Sequence, residues 1–203
     1  MIGIINGSPK APGGASGKLS ARALQKLGNE AALFSAREDG VETCQKLASC
    51  ETVMVVFPIY VDALPSHLLR FFMDWEAYRK DHEGRTCRMY AISHAGFYEG
   101  KQCVWSLEVL QNFCARTGMD WSGGIGLGGS GVLSSEVPDG MVRPLYTQVD
   151  ALCEAAVKQE KWTEYRWASI GMPRWMYLAS ANMGWTLDGK RNGLKKSDLY
   201  RME

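Results

Sequence analysis

The residues best suited to chemistry lie at the start of the chain. Met1-Ile2-Gly3-Ile4-Ile5 is an apolar strand that runs into Asn6-Gly7-Ser8-Pro9-Lys10 and then Ala11-Pro12-Gly13-Gly14-Ala15-Ser16-Gly17-Lys18. Glycines and small residues let backbone N–H groups approach an anion closely. The segment Lys18 to Leu27 carries apolar residues at helical spacing, so the loop ends at the positive end of a helix dipole. Together these features predict a site for a phosphorylated cofactor.

Two familiar phosphate motifs do not account for this loop. A Walker loop requires glycine where Pro12 stands and Ser or Thr where Leu19 stands, which argues against a P-loop kinase or NTPase. A dinucleotide pattern occurs at Gly124, Gly126 and Gly129, with Asp150 at the spacing of a ribose ligand. Those glycines lie late, within or after a strand, and Asp150 falls in an amphipathic helix, so the pattern is read as fortuitous.

The elements around the first loop alternate between strand and helix. Strands are predicted at Ala31–Ser35, Thr52–Phe57, Arg88–Ser93 and Asp120–Leu127. Helices are predicted at Val41–Ser49, Ser66–Arg79, Lys101–Arg116 and Val142–Gln159. Near-continuous apolar strands joined by helices imply parallel pairing with both faces covered. The expected fold is an α/β, doubly wound, three-layer sandwich with a five-stranded parallel sheet, spanning residues 1–159. A Trp-rich helical extension is expected over 160–203. In such folds ligands lie beyond the carboxyl ends of the strands, where strand order reverses. The site should therefore combine the loops after strands one, three and four, namely Gly7–Lys18, Pro58–Pro65 and His94–Gly100.

The 203 residues carry a net charge of +1 with no long run of either sign, which argues against a nucleic-acid surface. No apolar run approaches the roughly 20 residues of a membrane span, and the first strand is too short for a signal peptide, so a cytoplasmic protein is expected. The six cysteines are scattered, with no C-x-x-C pair. They are read as reduced, buried hydrophobes rather than metal ligands. The tail carries Trp162, Trp167, Trp175 and Trp185, and Pro173 and Gly184 suggest the start and end of a helix. So aromatic a face should cover the core, a partner subunit or a substrate pocket.

Asn6-Gly7-Ser8-Pro9-Lys10 with Ser16, Phe57-Pro58-Ile59-Tyr60, Leu64-Pro65-Ser66 and the helix ending near Phe72-Met73-Asp74-Trp75 together resemble the flavodoxin-like NADPH-dependent FMN reductases and NAD(P)H:quinone oxidoreductases, over about the first 130 residues. The resemblance implies bound FMN, turnover with NADH or NADPH, a small-molecule electron acceptor and a homodimer with flavin sites near the interface. By position, Ser8, Pro9, Lys10, Ser16, Gly17 and Lys18 would surround the phosphate, although backbone amides alone can hold it. Pro58, Ile59, Tyr60, Val61, Asp62, Ala63 and Leu64 would frame the isoalloxazine. Ser93, His94, Ala95, Gly96, Phe97 and Tyr98 would approach its pyrimidine edge. For His94 the alternative is that it satisfies a backbone group at a strand end. The flavin would carry the chemistry, so no catalytic side chain is assigned.

Two features depart from the family. Related iron-sulfur flavoproteins have four closely spaced cysteines where this chain has only Cys44 and Cys50, and the tryptophan-rich tail exceeds what a minimal reductase needs. Quinone, free flavin, nitro compound and metal oxyanion all stay open as acceptors. The rival readings are an electron-carrying flavodoxin and a non-enzymatic binding module. The first is disfavoured by a balanced charge and by the absence of the Thr-Gly-Asn-Thr loop that flavodoxins carry.

Overall fold

The computed structural model describes residues 1–10, 13–37, 40–82 and 86–200, with the side chains of 40, 41, 196 and 200 left aside. Ala11 and Pro12 of the phosphate-loop motif lie outside the described residues. Along the chain run β1 (Ile2–Asn6), α1 (Ala15–Leu27), β2 (Ala31–Ser35), α2 (Gly40–Ala48), β3 (Thr52–Pro58), α3 (Ser66–Asp81) and β4 (Arg88–His94). They are followed by α4 (Val104–Thr117), β5 (Asp120–Gly128), α5 (Asp139–Lys158), β6 (Arg166–Ser169) and α6 (Arg174–Arg191). The strands are all parallel, in the order β2-β1-β3-β4-β5-β6.

Burial follows the expectation for a sheet covered on both faces. Val53 to Phe57 of β3 and Met89 to Ile92 of β4 are fully buried, whereas β2, which forms one edge of the sheet, is only partly covered. Helices α1 and α5 pack together on one face, and α2, α3 and α4 follow one another on the other. On that second face Phe71, Phe72 and Trp75 of α3 meet Phe113 of α4, with ring centroids of Phe72 and Phe113 4.7 Å apart. Across α1 and α5, Arg22 clamps Asp150 with both Nε and Nη2, at 2.8 and 2.5 Å. Asp150 is thus an inter-helix ion-pair partner, which removes the ribose-ligand reading.

The sheet has six strands rather than five. The sixth comes from the segment expected to be helical, and the glycines of β5 explain why it docks there. A Cβ on Gly126 would stand 2.6 Å from the Trp167 ring, and one on Gly123, at φ +150°, would stand 3.2 Å from the Trp162 Cβ. Both indoles therefore lie directly against β5, close packing that a side chain on the strand would forbid. Tyr90 adds a polar tie, its hydroxyl donating to the Glu160 carbonyl at 2.6 Å.

Met1–Ile170 forms one compact unit and Gly171–Glu203 a second. Residues 160–170, expected in the extension, thus belong with the sheet. In the second unit α6 begins after Pro173, as the sequence suggests, but it runs through Gly184. The helix ends instead beyond Arg191, where Gly193 takes the left-handed φ of +79° that glycine alone adopts without strain. Among the described residues no helix is long and apolar enough to cross a membrane. All six cysteines are free and buried, and burial pushes the thiols up, to about 11 at Cys103 and about 12 at Cys87, Cys114 and Cys153. Such thiols are poor nucleophiles and poor metal ligands.

Candidate active site at the carboxyl edge of the sheet

Strand order reverses between β1 and β3, and the three loops singled out from the sequence all leave the carboxyl edge around that point. The first loop is shaped by its own side chains. Asn6 Oδ1 accepts from the Ser8 N–H at 3.0 Å and Ser8 Oγ from the Lys10 N–H at 3.1 Å, two short turns that hold the chain before α1. Gly7 permits a close crossing, since a Cβ there would lie 2.6 Å from Leu68. Ser8 is buried, whereas Pro9, Lys10 and Lys18 are exposed and Gly17 is half-buried.

Helix α1 starts after Gly14, at φ −77° and ψ 177°, with no side-chain cap and no acidic residue in its first turn. The first intrahelical bond is from Lys18 N–H to the Gly14 carbonyl, so the amides of Ala15, Ser16 and Gly17 precede the ladder. An uncapped, carboxylate-free helix start offers donors and positive potential to an anion. These residues fit a phosphate.

Ser16 does something the sequence did not suggest. Its side chain is buried and meets His94 Nε2 at 2.6 Å, while His94 Nδ1 meets Ser130 Oγ at 2.8 Å. Ser130 Oγ also lies 2.8 Å from the Ala95 carbonyl, which can only accept. Counting hydrogens along this chain sets every direction: Ser130 donates to Ala95, His94 Nδ1–H donates to Ser130, and Ser16 donates to Nε2. The Ser16 hydroxyl proton is therefore committed to His94, leaving its backbone N–H for an anion. Burial drives the His94 pKa down to about 3, so the ring is neutral. The ring meets two side-chain hydroxyls rather than a backbone group, and the imidazole ties α1 to the ends of β4 and β5.

The second loop continues β3. Pro58 is in register with His94, and Ile59 N–H donates to the His94 carbonyl at 2.9 Å. Tyr60 and Ala63 then exchange both backbone bonds, at 2.9 and 3.1 Å, closing a two-residue hairpin. Its tip is Val61 and Asp62, at φ +50° and +60°. That geometry belongs to Asn and Gly, and a β-branched residue holds it under strain, a feature concentrated at binding sites. Val61 is 99% exposed and Tyr60 44%, while Leu64 is buried beneath them.

In the third loop Ala95 is buried, Gly96 and Phe97 are exposed and Tyr98 is half-buried. Ser130 donates both its N–H and its hydroxyl to Ala95, and Gly129 N–H donates to Phe97 O. A Cβ on Gly128 would stand 2.0 Å from the Tyr98 carbonyl, so the end of β5 serves as a platform for this loop. Ser93 does not face the site. It is fully buried and donates to Ser106, which in turn donates to the Cys103 carbonyl at 2.7 Å.

Thus the fold gathers the loops after β1, β3 and β4 with Tyr60, Val61 and Phe97 exposed around an anion-ready helix start, and adds a support that sequence reasoning missed: Ser130, in the loop after β5. Its only sequence signal is its place after Gly128-Gly129 at a strand end.

No family model matches the chain, and no curated protein matches it in sequence. Solved structures do match. The Trp repressor binding protein of Bacillus subtilis is 17% identical, with a TM-score of 0.59 over 79% of this chain and 100% of that one. An FMN-dependent NADH-azoreductase from Bacillus anthracis, in complex with FMN, is 16% identical, with a TM-score of 0.58 over 75% of this chain and 97% of that one. A flavodoxin from Streptococcus pneumoniae TIGR4 is 13% identical, with a TM-score of 0.57 over 78% and 99%. At these identities the likeness concerns the fold: the chain has a flavodoxin-like fold, shared with flavin-dependent oxidoreductases.

Proposed function

We propose that the protein is an FMN-dependent oxidoreductase that takes hydride from NADH or NADPH and passes reducing equivalents to a small acceptor such as a quinone or a free flavin. The observation that carries this reading is the pairing of the uncapped, carboxylate-free start of α1 with the strained Val61-Asp62 hairpin and the Phe97 loop, all at one sheet edge. Similarity in fold to an FMN-bound azoreductase supports it.

In this reading the amides of Ala15, Ser16 and Gly17 hold the phosphate, with Ser8, Pro9, Lys10 and Lys18 beside them. The Pro58–Leu64 hairpin and the Ala95–Tyr98 loop flank a planar ring. When bound, FMN supplies a centre that accepts and returns hydride. The protein's part is to fix the ring, leave one face open and hold a neutral His94 behind the phosphate helix. We also propose a homodimer, on the exposed tryptophans of α6, and a cytoplasmic location, on six unpaired thiols.

Flavin released by acid from protein purified after incubation with FMN identifies the cofactor. Chromatography is expected to show FMN. FAD, or no flavin at all, would overturn the assignment.

A further inference from the structure

A cavity of about 580 Å³ opens between α4, the start of β5 and the segment that leads into β6. Trp121, Tyr165 and Trp167 line it together with the carboxylates of Glu108 and Glu164. The rings stand edge to face: Trp121 and Tyr165 meet at 79° with centroids 6.2 Å apart, and Tyr165 and Trp167 at 65° and 5.7 Å. Rings set at such angles turn their electron-rich faces in different directions. Burial first, and then the Glu108 charge, hold the Tyr165 hydroxyl above its usual range, so the field of that carboxylate reaches the ring. Among the described residues Glu108 and Glu164 have no cationic partner. The cations of the same segment are engaged elsewhere. Lys161, which also lines the cavity, lies 3.8 Å from Asp120 Oδ1, and Arg166 Cζ lies over the Trp162 ring, 3.6 Å from its centroid.

We propose that this cavity binds a small organic cation of the quaternary ammonium class, at a site separate from the flavin edge. Its volume falls within the roughly 300–1,000 Å³ of small-ligand sites. Trp121 is the second residue of β5, whereas the loops of the candidate active site leave the other end of the strands. A methylated ammonium has no N–H to donate, so it is held by ring faces and a nearby negative charge, and the cavity offers both. The stacking of Arg166 on Trp162 shows this aromatic cluster already holding a cation by a ring face. A primary ammonium is more strongly hydrated and needs acceptors in place of its water. The amide acceptor that lines the cavity, Gln111 Oε1, already receives the Tyr165 hydroxyl. An anion would meet like charge from Glu108 and Glu164, which sets this cavity apart from the phosphate loop.

Calorimetry on the full chain would compare choline with 3,3-dimethyl-1-butanol, an uncharged ligand of the same shape. The wild type should bind choline about tenfold or more tighter than the alcohol. Glu108 is half-buried and Glu164 exposed, so E108Q/E164Q should keep the fold while losing most of that preference. Tyr165→Leu, which removes a ring face, should lose it too, whereas Tyr165→Phe, which keeps the ring, should retain it. Where Tyr165→Leu does not fold, the carboxylate variant decides. No binding at about 10 mM choline, equal binding of the two ligands by the wild type, or a preference that survives in E108Q/E164Q or in a folded Y165L would overturn the proposal.

Discussion

His94 makes stability depend on acid in a direction that can be worked out. Its folded pKa is held at about 3, below the ordinary 6.5, so between those values the unfolded chain binds a proton that the folded chain refuses. The stabilisation is complete above the ordinary value and is lost as pH falls towards 3, with a slope of about 1.4 kcal/mol per pH unit from one proton. Urea unfolding of the wild type and His94→Gln between pH 7 and 4 should give slopes that differ by about that amount near pH 5. Equal slopes would mean that the ring is protonated in the folded protein. Positions in the Ser16–His94 pair were readable from sequence, because loops after parallel strands converge. Their pairing was not, since a hydrogen bond between residues 78 apart has no local pattern, and Ser130 carries no periodic or motif signal. Ser93 shows the converse: strand alternation turned it inward, away from the loop it adjoins.

At the scale of elements, the start of α1 yields a prediction in which stability and binding move oppositely. Gly14 already has the extended backbone of an N-cap residue, so Gly14→Asp should let a carboxylate accept from the first-turn amides. The helix end should gain about 0.5–1 kcal/mol, measured as a higher urea midpoint. FMN affinity should fall steeply, because the same amides are taken and a like charge is added, while riboflavin, which has no phosphate, should bind nearly as before. Parallel losses for both flavins would show that α1 does not hold the phosphate. Most elements were legible because their apolar runs and helical periods are long. Strand β6 was not: Arg166-Trp167-Ala168-Ser169 has neither an apolar run nor alternation, and it pairs because β5 offers glycines under the Trp162 and Trp167 rings. Gly184 misled as a stop, since a glycine within a helix costs only about 1 kcal/mol and the ladder passes through it.

Across the whole molecule, the tryptophans divide by unit. Trp162 and Trp167 cover the sheet, but Trp175, Met183 and Trp185 of α6 are 69%, 64% and 74% exposed in the single chain. Their destination was open in the sequence because what covers a side chain, core or partner, leaves no local mark. Exposed anchors of this kind are typical of interface cores. Sedimentation should show a dimer that shifts towards monomer in Trp175→Ser/Trp185→Ser, whereas a wild type already monomeric at micromolar concentration would refute the dimer. The central claim concerns turnover, and anaerobic mixing of FMN-loaded protein with NADPH or NADH tests it most directly. The account predicts that the visible flavin band bleaches and that added quinone restores it over many cycles. A flavin that stays oxidised with both nucleotides, yet is reduced readily by a reductase protein, would contradict the account and make the protein an electron carrier.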